Sequence, residues 1–334
     1  MRGSEIFPMV SIIVLTRNGG EWIEKCLNSL VSQIYPKDRF EVILVRSDHE
    51  DPLALAKRFS IKVVGADIKP GAKRNFAAKE AKGEILAFCD DDVVAQPNWL
   101  SNLISPLVDP KVAVSGGPNL NPDNAGLKER CSGYIFSSPI GSAAMAARYL
   151  PDGCSTKDAK ETDLISCNMA VKKPVLEAVG GFPKDLWPNE ENVFLHLVKK
   201  RGYRLVYAPN AIVQHRRRPV FLEHALQVFT YGSGRGRMIR ENPDTARALF
   251  LLPSVFVLFL LVAGFLSVYM NGLALTAFLI AGTTYVVVVV SESLRLAVRR
   301  KDLRAFILLP LAFFLHHCAY GLGFLKGFVM WKRG

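Results

Sequence analysis

Three consecutive carboxylates, Asp90, Asp91 and Asp92, directly follow the apolar run 86–89. A short apolar run is typical of a buried strand, and ligands of an open α/β sheet bind outside the carboxyl ends of its strands. Adjacent carboxylates repel one another unless a positive charge lies between them, and a hard divalent cation with oxygen ligands supplies that charge. The triplet therefore predicts a cation shared with substrate phosphates, while a solvated acidic turn remains the alternative.

Strands and helices alternate along the first part of the chain. Apolar runs at 9–16, 40–45, 61–64 and 85–89 indicate strands, and helical spacing follows at 22–30, 52–59, 74–81 and 99–108. This rhythm predicts an α/β fold with a doubly wound, mostly parallel sheet and right-handed crossovers.

The C-terminal quarter is much more apolar than the rest of the chain. Residues 248–291 and 305–325 contain no Asp, Glu, Lys or Arg, and a helix needs roughly 20 apolar residues to cross a bilayer. We predict an α-helical membrane region at 248–334 with two to three helices, at about 248–270, 273–291 and 305–328. Buried core helices of a soluble protein are the alternative.

The net charge of +12 is unevenly distributed. Ten Lys or Arg residues lie between 199 and 240 against one acid, Glu223, and five more lie between 295 and 304. The positive-inside rule places both basic segments in the cytoplasm and the uncharged hairpin at Asn271-Gly272 outside. Three crossings would leave the basic C-terminus outside, so a re-entrant or interfacial last helix remains open.

Other features bear on location and partners. The first apolar segment, 9–16, is too short for a cleavable signal, so we expect a cytoplasmic N-terminal part and a multi-pass protein of the plasma membrane. The six cysteines lack metal-binding spacing and are expected to be reduced thiols. Basic segments beside a bilayer attract anionic lipids, and because no nucleic-acid-binding motif accompanies them, nucleic acid is not an expected partner.

Six motifs in the first 215 residues together resemble family 2 glycosyltransferases. They are 10–18 (VSIIVLTRN), 71–75 (GAKRN), 83–92 (GEILAFCDDD) with Pro97 and Trp99-Leu100 after it, 180–182 (GGF), 189–191 (NEE) and 202–215 (GYRLVYAPNAIVQH). The resemblance implies a nucleotide-diphosphosugar transferase fold, GT-A-like, and an inverting transfer assisted by Mg²⁺ or Mn²⁺. The membrane tail resembles branches that build exopolysaccharides or charge lipid carriers.

The resemblance also implies roles for residues at the carboxyl edge of the sheet. The triplet matches the family's D-x-D motif, so that Asp92 would bind the metal and Asp90 would face the nucleoside or share the ion. His215, after a strand expected at a sheet edge, would complete the metal site. Residues assigned to nucleotide-sugar binding are Thr16, Asn18, Asp48, Lys73, Arg74, Asp90 and Asp91. The alternatives are a simple turn at 18–20, a solvated helix start at 73–74 and a surface position for the histidine.

Glu190-Glu191 stands where the family usually carries Glu-Asp. Inverting transfer needs a base that deprotonates the acceptor hydroxyl as it attacks the anomeric carbon, and Glu191 aligns with that base. The neighbouring charge of Glu190 is expected to raise the pKa of Glu191 toward a useful value. An acidic helix N-terminus, which the helix dipole favours, is the alternative.

The end of the second strand departs from the family pattern. That strand normally ends in acids that bind the base, whereas this chain reads Val45-Arg46-Ser47-Asp48-His49. Either Asp48 binds the nucleobase from a shifted turn, or this chain recognises the nucleobase in another way. The identity of the nucleotide therefore stays open.

A basic, interfacial connector is expected at 216–247. Its candidates for contacts with an acceptor or lipid phosphate are Arg216, Arg218, Gln227 and Arg235, because guanidinium groups suit bidentate phosphate contacts. The stretch is similar to the Q-x-x-R-W element of processive synthases, but no Trp follows Arg235. A purely anchoring role is the alternative.

Together these features predict a cytoplasmic glycosyltransferase domain at 1–215, followed by the connector and the membrane region. The expected activity moves a sugar from a nucleotide-diphosphate donor to a lipid-linked or growing glycan acceptor. The alternatives are a non-catalytic nucleotide-sugar-binding scaffold of an envelope-glycan complex and a small transporter with a regulatory nucleotide domain.

Overall fold

A computed structural model describes residues 7–16, 21–46, 53–66, 69–150, 156–269 and 272–330. The chain forms two compact units, one made of Met1–Pro122 and Ala147–Arg216 and the other of Asp123–Ala146 and Arg217–Gly334. The chain therefore leaves the first unit at residue 123 and returns to it at residue 147. No pattern in the sequence had indicated this excursion.

The described residues form short strands and helices in the first unit and mostly long helices in the second. In chain order, the strands are β1 (Val10–Leu15), β2 (Phe40–Arg46), β3 (Lys62–Gly65), β4 (Ile85–Asp90), β5 (Val93–Ala95), β6 (Val112–Gly116), β7 (Asn119–Leu120), β8 (Lys157–Asp158), β9 (Asn168–Lys172), β10 (Arg204–Tyr207) and β11 (Val213–His215). The α-helices are α1 (Trp22–Val31), α2 (Leu53–Phe59), α3 (Pro70–Glu80), α4 (Trp99–Ile104), α5 (Leu127–Phe136), α6 (Pro139–Ser142), α7 (Lys173–Val179), α8 (Glu190–Lys200), α9 (Leu222–Glu241), α10 (Leu252–Tyr269), α11 (Leu273–Arg299) and α12 (Ala305–Val329). Short 3₁₀ helices lie at Lys37–Arg39, Ser105–Val108, Ala143–Tyr149, Pro243–Thr245 and Ala248–Phe250.

The first unit contains a large and a small sheet. The large sheet has eight strands in the order β3-β2-β1-β4-β9-β6-β10-β8, and the small one has the order β5-β11-β7. Strands β1 to β4 pair in parallel, as do β6 and β10, whereas β9 runs antiparallel to both β4 and β6. The predicted α/β fold with a mostly parallel sheet is confirmed, and the inserted antiparallel strand β9 is an addition to it.

Apolar patterning explains why these elements form. β1 is buried along its whole length, as expected for a parallel strand covered on both faces, and α1 buries one stripe of Ile23, Cys26, Leu27 and Leu30. Successive β1 residues contribute to two different apolar clusters, because neighbouring side chains of a strand point to opposite faces. The strand ends emerge between these two cores.

Two glycines fix the start of α3 against the loop before α8. Gly181 has a φ of +80°, and a Cβ there would lie 2.4 Å from the side-chain oxygen of Asn75. Asn75 Nδ2 donates to the carbonyl of Phe182 at 2.8 Å, and the Phe182 N–H donates back to Asn75 Oδ1 at 2.8 Å. A Cβ at Gly71 would meet the carbonyl of Pro183 at 2.3 Å. These contacts hold α3 beside the chain that leads into α8.

In the second unit, α9 and α12 are joined through glycines on both helices. A Cβ at Gly232 or Gly236 of α9 would lie 2.3 Å from a carbonyl oxygen of α12, and a Cβ at Gly323 or Gly327 would lie 2.1 or 1.9 Å from a carbonyl oxygen of α9. Residue numbers rise together along the contact, so the two helices run parallel. Small residues permit this close approach of two helix backbones.

Helices α10, α11 and α12 lie in the three segments for which helices were predicted. The stretches Leu275–Arg299 and Ala305–Val329 are long and apolar enough to cross a membrane, and α10 carries a shorter apolar stretch, Leu252–Leu266. α11 extends eight residues beyond its expected end at 291, so that Arg295 and Arg299 lie on a helix and not in a loop. The reason is that the absence of charged side chains shows where a helix is apolar and does not show where its hydrogen bonding ends.

Candidate active site

The acidic triplet lies at the turn that joins β4 to β5. β4 is a central strand whose residues 85–89 are buried, and Asp90 is its last residue. The side chains of Asp90 and Asp92 are 36% and 37% exposed, so neither is fully solvated. Burial raises the pKa of Asp90, Arg74 opposes that shift, and the charge of Asp92 adds to it. The partly buried carboxyl groups of Asp90 and Asp92 thus lie close together at the carboxyl edge of the sheet.

His215 faces this turn from the small sheet. It is the last residue of β11, which lies between β5 and β7, so the predicted edge position was wrong. The two flanking strands have only three and two residues, too few to produce a visible pattern in the sequence. His215 Nε2 lies 3.1 Å from Asp92 Oδ1. Burial lowers the pKa of His215, but Asp92 and its other neighbours outweigh burial and hold the pKa well above the ordinary value.

The donor atoms at this turn suit a divalent cation. One ligand atom each from Asp90, His215 and Cys167 lies within 4.8 Å of the other two, and Asp92 reaches the same histidine. Carboxylate oxygens and an imidazole nitrogen are ordinary ligands of such ions. The residues present therefore fit the metal that the resemblance implies.

Arg74 links the acidic turn to the Glu190-Glu191 pair. Its Nη1 donates to Glu190 Oε1 at 2.6 Å, and its Nη2 lies 3.6 Å from Asp90 Oδ1. Arg74 is 3% exposed and Lys73 is 7% exposed, so the solvated helix start is not what this segment forms. Lys73 Nζ donates to the main-chain oxygen of Thr16 at 3.3 Å, which brings the end of β1 to the same place.

The two glutamates begin α8 and are both buried, at 3% and 6% exposure. Glu191 Oε1 accepts a hydrogen bond from Asn192 Nδ2 at 2.7 Å and lies 3.5 Å from Arg148 Nη1. Burial raises the pKa of Glu190 to about 7, with Arg74 opposing the shift and Glu191 adding to it. Burial thus raises the pKa of Glu190, whereas the sequence had predicted a raised pKa for Glu191 through crowding.

Two residues of this site carry no sequence signal. Arg148 donates from Nε to the Thr162 carbonyl at 2.7 Å and from Nη2 to Asn192 Oδ1 at 3.1 Å, so it holds the first turn of α8. Cys167 comes directly before β9 and lies beside His215. Both belong to the stretch between residues 143 and 168, where no motif was recognised.

The predicted nucleotide-binding and phosphate-binding residues are only partly brought to this edge. Asn18 and Asp48 lie outside the described residues. Arg216 and Arg218 are exposed, and the N–H of Arg216 donates to the Asp92 carbonyl at 3.1 Å.

The other two connector residues lie within the second unit. Gln227 donates to the Tyr231 hydroxyl of the same helix at 3.0 Å. Arg235 is 2% exposed and stacks over the Phe250 ring at 4.4 Å. Because Arg235 is buried against an aromatic ring, the connector is not simply a basic surface strip.

Comparison with known proteins shows similarity to glycosyltransferases. The model of the family described as "Glycosyl transferase family 2" matches residues 11–180. Glycosyltransferase AglE of Haloferax volcanii is 30% identical over 260 residues, which cover 73% of this chain and 79% of that protein. A second relative, from Methanococcus voltae, is 26% identical over 335 residues, 96% of this chain and 97% of the other; its name is dolichyl N-acetyl-alpha-D-glucosaminyl phosphate 3-beta-D-2,3-diacetamido-2,3-dideoxy-beta-D-glucuronosyltransferase.

Among solved structures, a mannosyltransferase from Pyrobaculum calidifontis in complex with GDP-Man and Mn²⁺ is similar in fold. Its TM-score is 0.64 at 18% sequence identity, over 97% of this chain and 88% of that one.

Proposed function

Because the chain belongs to glycosyl transferase family 2, we propose that this glycosyltransferase is a membrane-bound, metal-dependent, inverting enzyme. It would move a sugar from a nucleotide-diphosphate donor to a lipid-linked or growing glycan acceptor. The observation that carries the proposal is the position of Arg74, whose guanidinium contacts both Glu190 and Asp90. The buried guanidinium of Arg74 thus connects the carboxylates that could bind a metal with the carboxylates that could act as a base.

Asp90, Asp92 and His215 would hold the divalent cation. When bound, the cation neutralises the diphosphate and makes nucleoside diphosphate a better leaving group. Lys73 and Arg74 add fixed positive charge on the same side, where it favours the anionic donor. The Pyrobaculum calidifontis protein of similar fold was solved with Mn²⁺ and GDP-Man, which is consistent with this assignment.

Glu191 would act as the base, and Glu190 as its neighbour tied to Arg74. In the transfer, the acceptor hydroxyl gives its proton to the Glu191 carboxylate while its oxygen bonds to the anomeric carbon. The bond from that carbon to the diphosphate oxygen breaks, and the configuration inverts because attack and departure occur on opposite sides. Arg148 and Asn192 hold Glu191 in place for this step.

A lipid-linked acceptor is favoured by the second unit and by the relatives. The name of the Methanococcus voltae relative describes transfer to a dolichyl-phosphate-linked sugar. Helices α10 and α11 present large apolar side chains that are more than half exposed, among them Leu261, Phe265, Ile280 and Val287. Such a surface suits acyl chains, and membrane anchoring would keep the enzyme beside a lipid-borne substrate.

We propose that α10 and α11 form the membrane-spanning hairpin and that α12 stays on the cytoplasmic side with α9. Only 6% of the α11 stretch is buried in the protein, against 44% of the α12 stretch. α12 lies along α9, which carries Glu223, Arg235, Arg237, Arg240 and Glu241. Five charged side chains make a bilayer position costly for α9, and the helix in contact with it lies at the same level.

This topology predicts a specific labelling pattern. Single cysteines placed at 271, 300 and 334, in a background without native thiols, should be modified from outside intact cells only at 271. Permeabilised cells supply the control, in which all three should react. Modification of the probe at 334 from outside would mean that α12 crosses the membrane. Modification of the probe at 300 from outside would mean that the topology is the reverse of the proposed one.

The activity itself is tested by nucleoside diphosphate release. Membranes containing the protein should release nucleoside diphosphate from one of a series of UDP-, GDP- and dTDP-sugars when an isoprenoid-linked acceptor and a divalent cation are present. If none of these donors supports release of nucleoside diphosphate, although binding of a donor is measurable, the scaffold function is favoured instead.

A further inference from the structure

A thiol lies at the proposed metal site. Cys167 is 1% exposed, and its Sγ donates to Asn119 Oδ1 at 3.1 Å and lies 3.7 Å from His215 Nδ1. Its sulfur, a ring nitrogen of His215 and a carboxylate oxygen of Asp90 all lie within 4.8 Å of one another. Neither the spacing of the cysteines nor the family motifs had indicated a metal-binding role for this residue.

Rigid elements hold all three groups. β9 pairs antiparallel with β4, with Asn168 opposite Cys89, so Cys167 stands opposite Asp90 at the end of the same ladder. Asn168 is fixed by a hydrogen bond from the Trp99 indole at 2.8 Å, and its own amide donates to two main-chain carbonyls. His215 is fixed by the pairing of β11 with β5 on one side and β7 on the other. Asp90 and His215 thus end paired strands, and Cys167 lies in the turn directly before β9, next to the fixed Asn168.

We propose that Cys167 is a sulfur ligand of the divalent cation and that it sets which cation the enzyme prefers. The proposal rests on the metal-dependent function above. Coordination through sulfur requires the thiolate, so the thiol proton leaves to solvent when the ion binds. A hard ion such as Mg²⁺ prefers oxygen ligands only, whereas Mn²⁺, Co²⁺, Zn²⁺ and Cd²⁺ accept nitrogen and sulfur increasingly well. Cys167 therefore disfavours Mg²⁺ at this site.

The two other thiols nearby do not share this role. Cys26 and Cys89 are fully buried within the apolar cluster of the first unit, and Cys26 Sγ is directed to the main-chain oxygen of Asp90 at 3.5 Å. Neither belongs to the set of donor atoms around His215. A cation at the turn thus has one sulfur within reach among the described cysteines.

Cadmium binding to the purified full-length protein tests the proposal without any substrate. Cd²⁺ should produce a sulfur-to-metal charge-transfer band in the ultraviolet difference spectrum, saturating at one ion per chain. Cys167→Ser and Cys167→Ala should both abolish the band, while Cys318→Ser, at a half-buried thiol of the second unit, should keep it. An unchanged band in the Cys167 variants overturns the proposal.

Ion preference provides a second readout. The ratio of Mn²⁺ to Mg²⁺ affinity, measured by titration calorimetry, should fall by about tenfold or more in Cys167→Ser, the usual size of such ligand effects. An unchanged ratio of Mn²⁺ to Mg²⁺ affinity would mean that Cys167 does not bind the cation, even if transfer remains metal-dependent. A Cys167-dependent cadmium band in a protein that transfers no sugar would instead keep the site and reject the proposed function.

Discussion

Replacing Glu191 by glutamine should lower the turnover number by roughly 10²–10⁴-fold, the usual contribution of general-base catalysis, with little change in nucleotide-sugar affinity. Glutamine keeps the shape and the contact with Asn192 but cannot accept a proton at neutral pH. The fold should be preserved, because Arg148 retains its hydrogen bonds to Thr162 and Asn192. Turnover is measured from nucleoside diphosphate release and donor affinity by calorimetry.

The neighbouring residue provides the matched control. Glu190→Gln should cost less than Glu191→Gln, and Glu191→Asp, which restores the family's usual residue, should retain activity. If Glu190→Gln is inactive and Glu191→Gln nearly normal, Glu190 is the base and the alignment is off by one.

A pH profile separates the two further. Because burial raises the pKa of Glu190 to about 7, Glu190 loses its proton as pH rises through that value. The wild-type rate should therefore increase with pH and level off above about 7, because ionised Glu190 pairs with Arg74. Glu190→Gln should lose this dependence, whereas the residual rate of Glu191→Gln should keep it.

Asp92→Asn should abolish transfer and donor binding while leaving the fold and membrane insertion intact. The side chain is 37% exposed and faces His215, so its loss removes a charged ligand without opening a cavity in the core. Transfer activity, donor calorimetry and circular dichroism report the three properties separately.

Asp91→Asn is the control for the loss of one negative charge at the same turn. It should reduce donor affinity less than Asp92→Asn, because Asp92 is the proposed metal ligand and its Oδ1 lies 3.1 Å from His215 Nε2. Full activity of the wild-type enzyme in EDTA would reject the metal site altogether.

Much of the first unit could be predicted because the deciding patterns are local. The buried run before Asp90 marks a strand, and a parallel sheet delivers its carboxyl end to one edge. The resemblance to family 2 glycosyltransferases predicted Thr16, Lys73 and Arg74 at that edge, and the structure has Lys73 Nζ beside the Thr16 carbonyl and Arg74 beside Asp90. The raised pKa of Glu190 depends on its burial, and the Arg74 contact that opposes it joins positions 116 residues apart.

The rest depended on pairings that leave no periodic signal. β9 has five residues and runs antiparallel, and only this insertion places Cys167 opposite Asp90. Arg148 belongs to a 3₁₀ helix without amphipathic spacing. The glycines of α9 and α12 are individually common, and their significance appears only when the two helices meet.

The contact between α9 and α12 has a consequence for how the protein is made. The first unit is complete once residue 216 has been synthesised, and N-terminal domains generally fold while translation continues. α9 follows at once, but α12, the helix that covers its glycines, begins only 64 residues after α9 ends. Until α12 has left the ribosome, Gly232 and Gly236 of α9 lack the helix that packs against them. Premature termination at residue 304 would therefore leave a finished catalytic unit attached to an unfinished second one.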